Sequence, residues 1–141
     1  MKKNILSILI FTFLAPISAS AESKTRLDCR AAKILNDNVF EEGLSTHEYP
    51  DVYLFQEGSN LNFSVGAMQD YDTADGAVVE VKKRGAKTVI KANYKGEKDS
   101  VVITVSNDSD VDGSGNKWAN LDKIEGDERI QVALLICKKV P

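Results

Sequence analysis

The clearest chemical pattern in this sequence is a set of three carboxylates in the segment 108–116. Asp108, Asp110 and Asp112 stand two positions apart, and Gly113 follows directly. Calcium takes about six to eight hard oxygen ligands at roughly 2.3–2.6 Å, and a glycine permits the sharp turn that folds such ligands inward. The spacing therefore predicts that these three side chains are candidate ligands for Ca²⁺.

The segment resembles the D-x-D-x-D-G calcium loops found on several folds, including the EF-hand. The resemblance implies that the Ser114 carbonyl, and Asn116 or a water, supply further ligands. The sequence departs from the EF-hand pattern at two positions, where Gly115 replaces an apolar residue and Ala119 replaces the bidentate glutamate. A plain polar turn is the alternative interpretation, because Asp, Asn, Ser and Gly favour turns for backbone reasons of their own.

A second pattern is a cluster of cations between residues 82 and 98, where seven residues are basic and one, Glu97, is acidic. Side chains at even spacing on a strand share a face, so we predict a cationic sheet face. An anionic glycan, an acidic protein or a lipid head group would suit it, whereas an edge strand guarded against aggregation is the alternative. Nucleic acid is not expected, because the chain carries a net charge of −3 and these lysines have no aromatic neighbours before Tyr94. The predicted face consists of Lys82, Arg84, Lys87, Lys91 and Lys95.

Residue types suited to catalysis are scarce. His47 is the single histidine, so a small hydrolase with His47 as general base is the one enzymatic hypothesis we retain. The sequence has no G-x-S-x-G, H-E-x-x-H or phosphate-binding glycine motif. We therefore predict a protein without enzymatic activity and without a cofactor other than Ca²⁺. Trp118, the single tryptophan, comes two residues after the segment 108–116, and its large apolar area favours a core position over an exposed contact.

The first 21 residues have the pattern of an export signal. Lys2 and Lys3 precede an apolar stretch at 5–14, and small residues at 19–21 suit cleavage near Ala21. An apolar stretch of ten residues, interrupted by Ser7 and Thr12, is too short for a membrane span, which needs about 20. The compact leader is typical of bacteria, so we expect a secreted or periplasmic protein. Cleavage would leave residues 22–141, with a net charge of −5 because two lysines and no acidic residue are lost.

Two cysteines, Cys29 and Cys137, remain after the predicted cleavage. In an oxidising compartment two cysteines most simply form one disulfide. The bridge would close a loop of about 109 residues, which the chain-entropy model values at about 4–5 kcal/mol. We predict that it fastens the first structural element to the last.

Period-two alternation over most of the chain predicts β-strands. Residues 25–35 fit either a strand or an amphipathic helix, and we favour the strand because it can align the two sulfurs beside the last strand. Only Gln131 interrupts the apolar run 130–137, which predicts a central strand. We predict one all-β domain at 22–141, an antiparallel sandwich or small barrel of about seven or eight strands closed by one disulfide. The alternating runs are 61–65, 77–81, 88–95 and 101–106, and 52–55 is a short apolar run.

Together these features predict an exported binding module without enzymatic activity, such as an inhibitor or an adhesion-type protein. It would meet a protein or glycan partner through its loops or its cationic face. The first alternative is a calcium-stabilised structural or adhesive domain that depends on the loop 108–116. The second alternative is the small hydrolase that uses His47.

Overall fold

A computed structural model describes residues 23–35, 51–66 and 69–141. The predicted leader at 1–21 and the candidate base His47 lie outside these residues. Within the described ranges, no helix has the length and apolar character needed to cross a membrane. Nine strands are present in them: β1 (Ser23–Ile34), β2 (Val52–Glu57), β3 (Asn60–Val65), β4 (Gln69–Asp72), β5 (Ala77–Arg84), β6 (Lys87–Tyr94), β7 (Ser100–Ser106), β8 (Lys117–Glu125) and β9 (Glu128–Lys139).

The strands form one antiparallel sheet in the order β4-β3-β2-β1-β9-β8-β7-β6-β5. Strands that are consecutive in the sequence pair with each other, except β4 with β5, and the first strand pairs with the last. The two edge strands, β4 and β5, are consecutive in the sequence, so the turn between them brings the edges together. The result is a nearly closed barrel-like sheet.

A single turn of 3-10 helix, Thr73–Asp75, forms the corner between β4 and β5. The Asp72 side chain accepts a hydrogen bond from the Ala74 N–H at its start, and Gly76 ends it with a left-handed φ of 96°, which glycine adopts without steric cost. Beside the corner, the rings of Tyr71 and Tyr94 lie 5.4 Å apart. Side-chain packing therefore supports the place where the backbone ladder is interrupted.

The interior of the barrel is apolar because alternate residues of each strand point inward. Phe63, Leu27, Ile90, Ile103 and Leu121 are all fully buried there. The predicted alternation in 61–65, 88–95 and 101–106 is confirmed by this placement, since the inward-facing apolar residues of each run belong to the core.

The predicted disulfide is present and joins the first strand to the last. Cys29 and Cys137 are directly opposite each other in the β1–β9 ladder, with 3.9 Å between their Cα atoms. Both residues are fully buried. The bridge links positions 108 residues apart, so it closes almost the whole described chain into a loop.

The all-β prediction is confirmed, and of the two architectures offered the barrel is the one observed. Residues 25–35 form a strand rather than a helix, and the apolar run 130–137 lies in β9, the central strand of the sheet order. The count rises to nine because β4 and β8 were not predicted. Asp70 and Asp72 made β4 look like a turn, and β8 mixes Lys, Asn and Asp with its apolar residues.

Candidate functional site

The predicted cationic face lies on the hairpin formed by β5 and β6. Lys82 and Arg84 of β5 and Lys87 and Lys91 of β6 project outward, because residues that alternate with them, such as Ile90, are buried in the core. Register places Arg84 directly opposite Lys87 across the two-residue turn. Four of the five predicted residues therefore share one outer face.

Lys95 lies one residue beyond the end of β6, in the turn that leads to β7. Its backbone N–H donates a hydrogen bond to the Gly76 carbonyl at 3.2 Å. Strand register therefore does not place Lys95 with the other four cations. The name "cationic face" is used below for Lys82, Arg84, Lys87 and Lys91.

All four side chains of the cationic face are exposed. Among the described residues, the three ion pairs within 4.0 Å involve other groups, so none of the four is neutralised by a carboxylate at contact distance. The segment 77–94 holds five basic residues and one acidic residue, a net charge of +4. Since the whole chain carries −3, the remaining residues carry −7. Charge is thus strongly separated between this hairpin and the rest of the chain.

The acidic loop 107–116 connects β7 to β8 and is held by its own hydrogen bonds. Oδ1 of Asp110 accepts from the backbone N–H groups of Gly113 and Gly115, at 2.8 and 3.1 Å. Oδ1 of Asp112 accepts from the backbone N–H and hydroxyl of Ser114, and its Oδ2 accepts from the Asn116 amide at 3.1 Å. These carboxylates brace the loop in the way that Asp stabilises turns generally.

The predicted calcium ligands are therefore placed as follows. Asp110, Asp112, Ser114 and Asn116 join in the hydrogen bonds just described, and Asp108 is exposed at the start of the loop. Nowhere in the described chain do three or more His, Cys, Asp or Glu residues group in a way that could hold a metal ion. Calcium binding by this loop remains a prediction from the sequence.

Hydrogen bonding also sets the charge state of Asp112. The hydroxyl and the backbone N–H of Ser114 lower the pKa of this carboxyl group, since a hydrogen bond to the charged form favours that form. Asp112 is thus held as an anion at the outer surface of the loop.

Trp118 faces outward, which corrects the prediction of a core position. Ala119 and Leu121 are buried in the core, so Trp118 and Asn120, which alternate with them on β8, lie on the outer surface. Trp118 is half-buried there. Alternation with Ala119 and Leu121 indicates an outward position for Trp118, whereas the prediction of a core position relied on the size of the indole.

A cleft of about 440 Å³ lies on the outer surface between the acidic loop and the β1–β9 pair. Ile136 and Ala31 supply apolar surface, and the charged and polar lining residues are Asp28, Arg30, Asp112, Asn116 and Lys138. Nζ of Lys138 lies 3.5 Å from a carboxylate oxygen of Asp28, whereas Arg30 is exposed and has no ion pair among the described residues. The sequence did not predict this cleft, because its lining comes from both ends of the chain and from the loop.

One buried side chain near the sheet edges has a strongly shifted pKa. Burial, and secondarily the negative charge of Glu97 and Asp99, raises the pKa of Tyr71 well above its usual value. Tyr71 is 3 % exposed, and the Tyr94 hydroxyl beside it donates to the Asp70 carbonyl. Tyr71 and Tyr94 thus pack where the two edges of the sheet meet.

Comparison with known proteins gives no relative: no family model, curated protein or solved structure matches this chain.

Proposed function

We propose that this protein is an exported binding module without catalytic activity, and that it meets an anionic partner through its cationic face. The observation that carries the proposal is the arrangement of Lys82, Arg84, Lys87 and Lys91. All four are exposed on one side of a hairpin, and the described residues provide none of them with an ion pair.

The pair Arg84–Lys87 strengthens this argument. Like charges directly opposite each other on neighbouring strands destabilise a sheet, and these two cations are in register. Lysines that merely guard an edge strand against aggregation would not require such a pair. A local arrangement that costs stability without structural benefit is typical of a functional surface.

The segregation of charge explains how such a surface would select its partner. The +4 hairpin belongs to a chain whose other residues carry −7, so an approaching polyanion is repelled except near the cationic face. Such a field orients the partner during its approach, and salt screens it over a Debye length of about 8 Å at physiological ionic strength. Binding should therefore weaken steeply as salt is added.

The test compares two double variants that remove the same charge. Lys87→Gln with Lys91→Gln alters the cationic face, and Lys24→Gln with Lys98→Gln alters two exposed lysines elsewhere. Binding of oxidised residues 22–141 to heparin, poly-L-glutamate and vesicles of phosphatidylcholine with phosphatidylglycerol is measured at low and physiological salt. We expect at least one probe to bind, and that binding to fall about tenfold in the first variant only, a loss equivalent to about 1.4 kcal/mol.

Equal losses in the two variants, or no binding to any probe, would contradict the proposal. The non-enzymatic part has its own test. Turnover against a broad panel of hydrolase substrates that disappears in His47→Ala would show that the protein is an enzyme.

A further inference from the structure

One row of residues on the outer surface connects the cationic face to the cleft. Starting from β5, each member lies directly opposite the next across the ladder, so the row crosses six neighbouring strands. We name it the outer stripe, and its members in order are Arg84, Lys87, Ser106, Trp118, Ile136 and Arg30. With neighbouring strands about 4.8 Å apart, the stripe spans roughly 24 Å around the barrel.

Trp118 lies near the middle of the outer stripe. It is half-buried between Ser106 and Ile136, its partners in register. Its backbone N–H donates to the Ser109 hydroxyl at 2.9 Å, which holds this residue against the base of the acidic loop. The described residues give its indole N–H no hydrogen-bond acceptor, although tryptophan usually finds one when it is buried.

Cations without an ion pair among the described residues lie on both sides of this indole. Lys87 is two strands away in one direction and Arg30 is two strands away in the other, roughly 10 Å in each case. At the Arg30 end the stripe enters the cleft, where the braced acidic loop forms one wall with Asp112 and Asn116. The stripe thus offers a central aromatic surface, a cation on either side and hydrogen-bonding groups at one end.

We infer that the anionic partner is a linear acidic polysaccharide that lies along the outer stripe. This inference rests on the proposed function and names the partner class. One sugar ring packs its apolar C–H face against Trp118, and carboxylate or sulfate groups on neighbouring sugars contact Lys87 with Arg84 on one side and Arg30 on the other. Sugar hydroxyls donate to Asp112 and bond with Asn116 at the rim of the cleft.

A membrane surface fits these observations less well. A flat anionic bilayer that approaches the convex barrel would also contact parts of the chain outside the hairpin, which together carry −7. A single polysaccharide chain would contact the stripe alone. In the described part of the chain, the exposed large apolar residues Leu35, Phe55 and Val78 all lie outside the stripe. Val78 shares the outer face of β5 with the cations, but it is a single residue. An acidic peptide would satisfy the cations, but an aromatic surface midway between them favours a ring-shaped ligand.

Trp118 is the single tryptophan, so intrinsic fluorescence reports on the proposed contact directly. Oxidised residues 22–141 are titrated with oligogalacturonate and with heparin oligosaccharides, and poly-L-glutamate and anionic vesicles serve as the competing partner classes. We expect a saturable change in tryptophan fluorescence with at least one of the two glycans. Carboxylated and sulfated ligands are distinguished by which of them binds.

Variants then separate stacking from charge. Trp118→Ala should weaken glycan binding, measured by calorimetry, about tenfold, which is the scale of one aromatic stacking contact, and Trp118→Phe should weaken it less. Neither change should alter the binding of poly-L-glutamate. Arg30→Gln should weaken glycan binding, whereas Lys24→Gln should not. Thermal unfolding of each variant checks that it is folded. If Trp118→Ala does not fold, Trp118→Phe serves as the main test.

The outcomes distinguish the two proposals. Glycan binding that depends on Lys87 and Lys91 but is the same in Trp118→Phe, Trp118→Ala and Arg30→Gln overturns this inference and leaves the proposed function standing. Binding of poly-L-glutamate or vesicles without glycan binding likewise overturns this inference and leaves the proposed function standing. Failure of every anionic probe overturns both.

Discussion

The β1–β9 pair and the β5–β6 hairpin belong to the same antiparallel sheet but use their outer faces differently. At β1–β9, the sheet is joined by a buried disulfide between Cys29 and Cys137, and β9 also carries apolar residues outward, as half-buried Ile136 illustrates. The hairpin ends at an edge strand and presents exposed cations such as Lys87, to which the described part of the chain supplies no ion pair.

The difference teaches that the covalent closure of the barrel and its largest group of cations lie on different strands. Burial and covalent linkage at β1–β9 hold the ends of the chain together, so the opposite side of the sheet can carry an arrangement of like charges that costs stability. Changes to buried residues such as Cys29 or Ile90 should therefore affect folding, whereas changes on the proposed binding surface should affect binding.

Loss of the disulfide should have the largest effect. In the double variant Cys29→Ser with Cys137→Ser, the unfolded chain regains the freedom of a loop of about 109 residues, so unfolding should become easier by about 4–5 kcal/mol. Chemical denaturation of the oxidised protein and of the variant measures this difference. A loss below about 1 kcal/mol would show that the β1–β9 ladder closes the barrel without its covalent bond.

The hairpin itself contains a matched pair of neighbouring residues with opposite roles. Ile90 is fully buried and Lys91 is exposed on the cationic face. Ile90→Ala leaves a cavity and should cost about 2–5 kcal/mol of stability. Lys91→Gln should change stability by less than about 0.5 kcal/mol while it weakens binding to the anionic probe. Denaturation midpoints and binding measured on the same preparations check both statements. A large stability loss in Lys91→Gln would break the comparison.

Alkaline pH should weaken the place where the two sheet edges meet. Folding raises the pKa of Tyr71 through burial, so near pH 10 and above the unfolded chain loses this proton more readily than the folded protein does. The stabilisation is fully present below the ordinary tyrosine pKa of about 10 and is lost above it, by at most about 1.4 kcal/mol per pH unit. Urea denaturation between neutral pH and pH 11 measures the slope, and Tyr71→Phe should reduce it. If stability depends on pH in the same way in Tyr71→Phe, the group that titrates is a residue other than Tyr71.

The acidic loop, which links the hairpin side of the barrel to the β1–β9 side, should show the smallest effect. The observed hydrogen bonds predict that Asp112→Ala lowers the melting temperature slightly, because Ser114 and Asn116 lose their acceptor. The calcium hypothesis adds that millimolar Ca²⁺ raises the melting temperature, since a ligand bound only to the folded state must stabilise it, and that Asp112→Ala abolishes the rise. An unchanged melting temperature in Ca²⁺ would reject the calcium hypothesis and leave the bracing role of Asp112 intact.

Local periodicity was sufficient to predict most strands and four of the five residues assigned to the cationic face. It failed at β4 and β8, where Asp70, Asp72 and Asp122 interrupt the apolar pattern. Asp122 is tolerated at 7 % exposure because Arg129, on the adjacent β9, places a guanidinium nitrogen 2.7 Å from its carboxylate. A pairing between strands compensates there for a residue type that strands normally avoid, and no local rule reports such a partner.

The sequence by itself determined the all-β character, the disulfide partners and the four residues of the cationic face, because alternation, two cysteines and charge are properties of residue type and spacing. Only the tertiary structure decided that the sheet curves into a barrel, that Trp118 faces outward and that Arg30 lies in the same row as Lys87. These residues are far apart in the chain, and ladder register around the barrel, which depends on all the strand pairings between them, brings them onto one stripe.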